Sequence, residues 1–197
     1  MRQAKVPDWF IDSCKKIAYM FPRAHAVAYV MMSLRIAYFK VHHPRAFYAT
    51  YFSVRADNLD SAHLHSGETV RARIAHIEAQ GKAATALEQS QLTMLEVALE
   101  MYERGIEFLP CDLYKSDATN CVIEDEGLRL PFTALGGTGV SAAQGIVRAR
   151  EQGPFLSIED LKKRSGISSA VVTKLEENGC LKGLLKSNQL SLFDLTS

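Results

Sequence analysis

Apolar residues recur at helical spacing over most of the chain, and the breaks fall at Pro and Gly. Pro7 stands at a first-turn position ahead of Phe10, Ile11, Ile17 and Met20, which predicts a short amphipathic helix. Pro22 opens a long helix over residues 22–41, stopped by His43-Pro44 because the residue before proline disfavours helix. Residues 44–55 form another helix, carrying Phe47, Tyr48, Tyr51 and Phe52. Residues 57–67 read as a loop, and residues 68–80 as a helix ended by Gly81. Thr85-Ala86-Leu87-Glu88 is a capping box, in which Thr and Glu each satisfy a backbone N–H left free at a helix start. Leu92, Leu95, Val97 and Leu99 continue that helix to Gly105. Over residues 106–132 the period shortens. Ile106-Glu107-Phe108-Leu109, Asn120-Cys121-Val122-Ile123 and Leu128-Arg129-Leu130 alternate around an acidic turn, predicting a small antiparallel ribbon. After Phe132 come short helices rich in Gly and Ser. The pattern gives a mostly α fold with a small β ribbon.

Composition narrows the class. The 197 residues, 47% hydrophobic and 23% charged, suit one or two cores of a soluble globular protein. The first eight residues lack the apolar stretch of a signal peptide. The most apolar region, residues 24–39, is interrupted by His25 and Arg35 and is too short and polar to span a bilayer. The expectation is a cytoplasmic protein with no membrane partner. Cys14, Cys111, Cys121 and Cys180 are scattered, and His63-x-His65 and His42-His43 have no cysteine or carboxylate at ligand spacing. No metal site is expected in the chain. Net charge is +1, but it is unevenly spread. Residues 1–55 carry nine Lys/Arg against two acids, residues 56–126 five against fourteen, and residues 127–197 nine against six. Two basic segments around an acidic one suit polyanion contacts at both ends, with solvated helix faces as the plainer reading.

The most specific internal string is Leu135-Gly136-Gly137-Thr138-Gly139-Val140-Ser141-Ala142-Ala143-Gln144-Gly145-Ile146. An apolar residue leads into a turn with glycines two apart, then into a helix with small residues in its first turn. Such a turn exposes backbone amides beside a helix N-terminus, where a phosphate oxygen can bind without its base being read. Arg148 and Arg150 can add charge. A tight interhelical turn is the plainer alternative. The string resembles the helix-hairpin-helix (HhH) motif of duplex-binding proteins, which makes Gly137, Thr138, Gly139, Ser141 and Arg148 the DNA-binding candidates. Gly166-Ile167-Ser168-Ser169 is a weaker second unit, and pairing two such hairpins would bury both apolar faces. Asp160 lies near the distance at which some HhH glycosylases place a catalytic aspartate. Ser157-Ile158-Glu159-Asp160 reads better as a capped helix start.

The long helix after Pro22 places His25, Tyr29, Ser33 and Lys40 within about a quarter of its circumference, groups that suit a nucleotide's base and phosphates. An amphipathic helix with a mixed surface is the alternative. Residues 189–193, Gln189-Leu190-Ser191-Leu192-Phe193, form an apolar cluster in a polar setting. So short a cluster either docks back on the domain or is displayed to a partner. The pentapeptide resembles the one by which bacterial replication proteins plug into the sliding clamp, glutamine hydrogen-bonded and Leu-Phe in a pocket.

Taken together, Tyr19-Met20-Phe21-Pro22-Arg23-Ala24-His25-Ala26-Val27-Ala28-Tyr29-Val30-Met31-Met32, Arg35-Ile36-Ala37-Tyr38-Phe39-Lys40-Val41-His42-His43-Pro44, Leu95-Glu96-Val97-Ala98-Leu99-Glu100-Met101, the Gly hairpin, Gly153-Pro154-Phe155-Leu156-Ser157, Glu159-Asp160-Leu161 and the final pentapeptide resemble the C-terminal portion of the PolC-type DNA polymerase III alpha subunit. The resemblance implies four parts. Residues 1–55 are the helical end of the fingers, with Tyr19, Arg23, His25 and Tyr29 on the nucleotide side. Residues 56–132 are connecting helices and the β ribbon, and residues 133–183 the HhH duplex-binding domain. Residues 184–197 are a flexible C-terminal peptide that binds the sliding clamp through Gln189, Leu190, Ser191, Leu192 and Phe193. The implied partners are the product duplex, the clamp and the upstream polymerase domains. The family's nucleotidyl transfer uses Mg2+ held by palm aspartates. Asp8 and Asp12 do not resemble that motif, so the chain alone is expected to be inactive and to hold no cofactor. A stand-alone clamp-tethered DNA-binding adaptor is the second reading, and a base-excision enzyme acting through Asp160 the third.

Overall fold

The computed structural model describes residues 1–17, 23–56 and 59–188. Packing divides the chain into two units, residues 1–42 and residues 43–197. The first holds helices α1 (Asp8–Lys16) and α2 (Arg23–His42). Asp12 is paired with Lys15 at 3.0 Å on α1. None of the described residues of α2 is buried. Val27, Tyr29, Val30, Leu34, Ile36, Phe39 and Val41 are each at least half exposed, so the helix is apolar around its circumference rather than along one stripe.

The second unit starts with α3 (Pro44–Val54), whose proline occupies the first helical turn. Residues 44–55, expected to belong with the helices before them, instead place Tyr48 and Phe52 fully buried in the second unit's core. Helices α4 (Gly67–Gln80) and α5 (Ala86–Glu103) form a hairpin. Ser66 caps α4 by accepting from Thr69 N, and the Thr85–Glu88 capping box opens α5 as expected. Arg73 pairs with Glu88 at 3.2 Å across the hairpin. Between them, α3, α4 and α5 bury Phe52, Val70, Ile77, Met94, Leu95, Ala98 and Met101.

Three short strands follow, β1 (Glu107–Leu109), β2 (Val122–Glu124) and β3 (Gly127–Arg129), in spatial order β1-β3-β2. The β2–β3 pair is the expected antiparallel hairpin, but β1 pairs with β3 in parallel. Residues 110–121 carry the chain back before β2, so the last strand of the hairpin inserts beside β1 and runs in its direction. Arg129, nearly buried, locks the sheet: it forms a bidentate pair with Glu124 (Nη2–Oε2 2.8 Å) and donates to Pro110 O at 2.7 Å. Cys111 and Cys121 are buried thiols, and burial pushes the Cys121 thiol up to about 12.

Helices α6 (Val140–Arg150), α7 (Ile158–Ser165) and α8 (Ser169–Glu177) complete the unit. Their apolar faces, Ile146, Leu161 and Leu175, and Ile167 in the turn between α7 and α8 join Phe132 and Leu135 in a core continuous with that of α3–α5 and the sheet. At Gly145 α6 runs close against α7: an added Cβ would lie 2.5 Å from Ser165 O. Gly145→Ala must therefore push α6 and α7 apart. It is expected to cost about 2 kcal/mol, in the range of overpacked cores, and to lower the thermal midpoint by roughly 5 °C in a circular-dichroism melt. An unchanged midpoint would mean the two helices are not held at this spacing.

Candidate nucleic-acid interface

A 3-10 turn, Phe132–Ala134, leads into the glycine string, and α6 leaves it. Thr138 N donates to Leu135 O at 2.9 Å, closing the turn. Gly137 sits at φ +84, a backbone region that side chains disfavour. Gly139 is the residue before α6 at φ −70 and ψ 158, and its side contributes no side-chain cap. No described atom lies within 4 Å of a Cβ placed on Gly136, Gly137 or Gly139. That open space is part of a cleft of about 390 Å³ lined by Leu59, Thr133, Gly136, Gly137, Thr138, Gly139 and Val140. Thr138 is buried rather than presented outward, and its Oγ1, like that of Thr133, has no hydrogen-bond partner among the described residues. The cleft thus fronts the first-turn N–H groups of α6, which no intrahelical carbonyl can satisfy, while the two orphaned hydroxyls are buried beneath it.

Of the other expected DNA contacts, Ser141 and Arg148 are exposed, as is Gln144. At spacings of three and four they share one face of α6, leading away from the cleft. Arg150 behaves differently. It is half-buried and donates to Ser116 O at 2.6 Å and Leu113 O at 3.2 Å, so it fastens α6 to the segment before β2 instead of facing solvent.

The second hairpin repeats the first. Gly166 at φ +70 matches Gly137, and Ser168 at φ −74 and ψ 161 matches Gly139. Ile167 is buried where Thr138 is buried. Ser168 caps α8 by accepting from Val171 N, and Lys162 donates to Ser169 Oγ at 2.7 Å across the turn. The two hairpins are thus built alike, with a hydroxyl cap and a lysine in the second where the first is bare.

Arg164, which sequence reasoning missed, holds the hairpins together. Its guanidinium lies 4.6 Å over the Phe155 ring and donates to Ala149 O, Gly153 O at 2.9 Å and Pro154 O at 3.0 Å. It also pairs with Asp160 at 3.1 Å. Leu156 N donates to the same Asp160 oxygen, and with Arg164 it holds the carboxyl below the usual carboxylate range. Asp160 is therefore a structural anion at the α7 start, engaged by two donors, and not a base poised over a cleft.

In the first unit, Arg23, His25 and Tyr29 are exposed on α2, with the His25 and Tyr29 rings edge to face at 4.5 Å. Ser33 Oγ is turned back to Tyr29 O at 2.9 Å. Tyr19 and the clamp-binding candidates Gln189, Leu190, Ser191, Leu192 and Phe193 lie outside the described residues. Among the described residues, no three His, Cys, Asp or Glu side chains gather as a metal ion would require.

A family model described as a helix-hairpin-helix motif matches residues 105–190, taking in the sheet as well as both hairpins. Over 98% of its length the chain is similar to proteins described as DNA polymerase III PolC-type. Identity is 56% to that of Caldanaerobacter subterraneus subsp. tengcongensis, 53% to that of Bacillus subtilis and 51% to that of Clostridium perfringens. The chain spans only 14%, 14% and 13% of those proteins' own lengths.

Proposed function

From its membership of the PolC-type DNA polymerase III family, of which it is a portion, we propose that the chain is the duplex-gripping and clamp-tethering part of a DNA-directed DNA polymerase. The observation that carries the reading is the open glycine cleft at the α6 N-terminus. A phosphate oxygen seated there would accept from the first-turn N–H groups of α6, a contact to the backbone that reads no base. Ser141 and Arg148 would follow the same backbone, and the second hairpin would take a further phosphate. Residues 189–193 would engage the sliding clamp. A ring around the duplex holds a weakly bound partner at high effective concentration, so a modest peptide contact yields processive synthesis.

The first unit fits the end of the fingers. A helix apolar on every side needs cover, and the longer polypeptide of the relatives would supply it around α2. Tyr19, Arg23, His25 and Tyr29 are its nucleotide-side candidates. Nucleotidyl transfer needs two Mg2+ ions held by carboxylates. Those carboxylates are assigned to the rest of the polymerase, since nothing around Asp8 and Asp12 resembles the family's palm motif. The chain by itself is expected not to extend a primer. The setting is the cytoplasm; no described helix is long and apolar enough to cross a membrane.

The test is duplex binding as a function of sequence and salt. Two unrelated duplexes of equal length should bind within about twofold of each other, and log K should fall linearly with log salt. A strong preference for one sequence would sink the backbone-grip assignment.

A further inference from the structure

The first turn of any α-helix has N–H groups without intrahelical acceptors. At α7 these are met by the chain's own later residues. Ile158 N donates to Leu185 O at 2.8 Å and Glu159 N to Lys186 O at 3.3 Å, with Ser157 and Leu185 bridged in parallel. Side chains continue the zipper. Ser187 Oγ donates to Glu159 Oε2 at 2.8 Å, and Ser157 Oγ donates to Asn188 Oδ1 at 2.6 Å while accepting from Asp160 N at 3.1 Å. Ser157 is fully buried, Leu181 is in the core and Leu184 packs against it. Each residue from 185 to 188 thus makes a hydrogen bond to residues 157–159. The last of these bonds, at Asn188, is one residue before Gln189.

We propose that residues 185–188 are the fixed root of the clamp-binding peptide, and that Asn188 is its positioning residue. This rests on the clamp reading of residues 189–193 given above. The pentapeptide follows Asn188 directly in sequence, so no linker residue separates it from the last bond to the α7 start. A flexible linker spreads its ligand over a volume that grows with its length, whereas a fixed root confines it. The root therefore sets one separation between the duplex grip and a ring-shaped partner threaded on the same duplex. It also explains why the segment before the apolar cluster is polar: Ser187 and Asn188 are there for their hydrogen bonds, not for solubility.

The experiment uses the whole 197-residue chain with two substitutions, Asn188→Ala, which removes the acceptor, and Asn188→Asp, which keeps an acceptor oxygen. Hydrogen exchange at the Ile158 and Glu159 amides reports the root directly. In the unsubstituted chain both should exchange on the order of a thousandfold more slowly than in an unstructured peptide. Asn188→Ala should reduce that protection about tenfold, and Asn188→Asp should restore it. Binding to free clamp should be the same for all three chains. Binding to clamp loaded on a duplex should weaken about threefold for Asn188→Ala alone. Unprotected amides alongside intact clamp binding overturn the root and leave the tether standing. So does an Asn188→Ala chain whose binding to loaded clamp is unchanged. Protected amides in a chain that binds no clamp overturn the tether itself, and with it the root's role.

Discussion

Replacing Leu192 and Phe193 together with alanine is expected to remove binding to the sliding clamp. Within residues 189–193 the Leu-Phe pair is the only neighbouring pair of large apolar side chains, and such anchors carry most of a peptide's affinity. Each buried anchor is worth about 2 kcal/mol on truncation, so losing both weakens binding by roughly a thousandfold. A micromolar contact would then disappear from titration calorimetry. Gln189→Ala, which removes one hydrogen-bonding side chain, should cost about tenfold. Leu185 supplies the control. It is 60% exposed and contributes its carbonyl, not its side chain, to the α7 start, so Leu185→Ala should bind clamp normally. Duplex affinity should be unchanged in all three variants, because none of the substitutions alters a residue of the glycine cleft or of the α6 face. A double variant that still gives the full binding isotherm would remove residues 189–193 from the tether.

What the sequence made legible was local. The capping box at Thr85–Glu88, the helix stop at Gly81 and the glycine turn at Gly137–Gly139 each depend on residues within a few positions. They sit where spacing put them. The features that escaped are settled by partners far along the chain. Strand alternation reveals that Phe108 and Leu128 face a core, but not that β1 and β3 run parallel, which depends on how residues 110–121 return. Arg150 reads as a free cation on a DNA-facing helix until the carbonyls of Leu113 and Ser116 come beside it. Arg164 likewise looks like one charge among Lys162 and Lys163, yet it bonds to the carbonyls of residues 149, 153 and 154. Thr138 was expected among outward DNA contacts; the turn instead rotates it inward, where Ile167 stands in the second hairpin. The same limit hides the root at residues 185–188, since no pattern in Lys186-Ser187-Asn188 points to Ser157.

The two glycines of the first hairpin separate fold from function, and Gly139→Leu is the sharper probe. Gly137 is at φ +84, so a side chain there costs about 1–2 kcal/mol in backbone strain before any ligand is considered. Gly139, at φ −70 and ψ 158, has a conformation open to any residue, and its Cβ would meet no described atom within 4 Å. Leucine there loses only the modest advantage of glycine at a helix N-cap, about 0.5–1 kcal/mol, so the thermal midpoint should fall by no more than about 3 °C. Its side chain would occupy the cleft in front of the α6 amides. Excluding a phosphate from that seat removes charge-assisted hydrogen bonds worth about 2 kcal/mol. Duplex affinity should therefore drop about thirtyfold, equally for unrelated sequences. Because the lost contacts come from neutral amides, the slope of log K against log salt should stay nearly unchanged, whereas Arg148→Ala should reduce it by about one. Gly137→Leu should combine the same loss of affinity with a clear fall in stability. A Gly139→Leu chain that binds duplex as before would show that the cleft is a tight turn between helices and nothing more. A loss confined to one sequence would show that the hairpin reads bases rather than backbone.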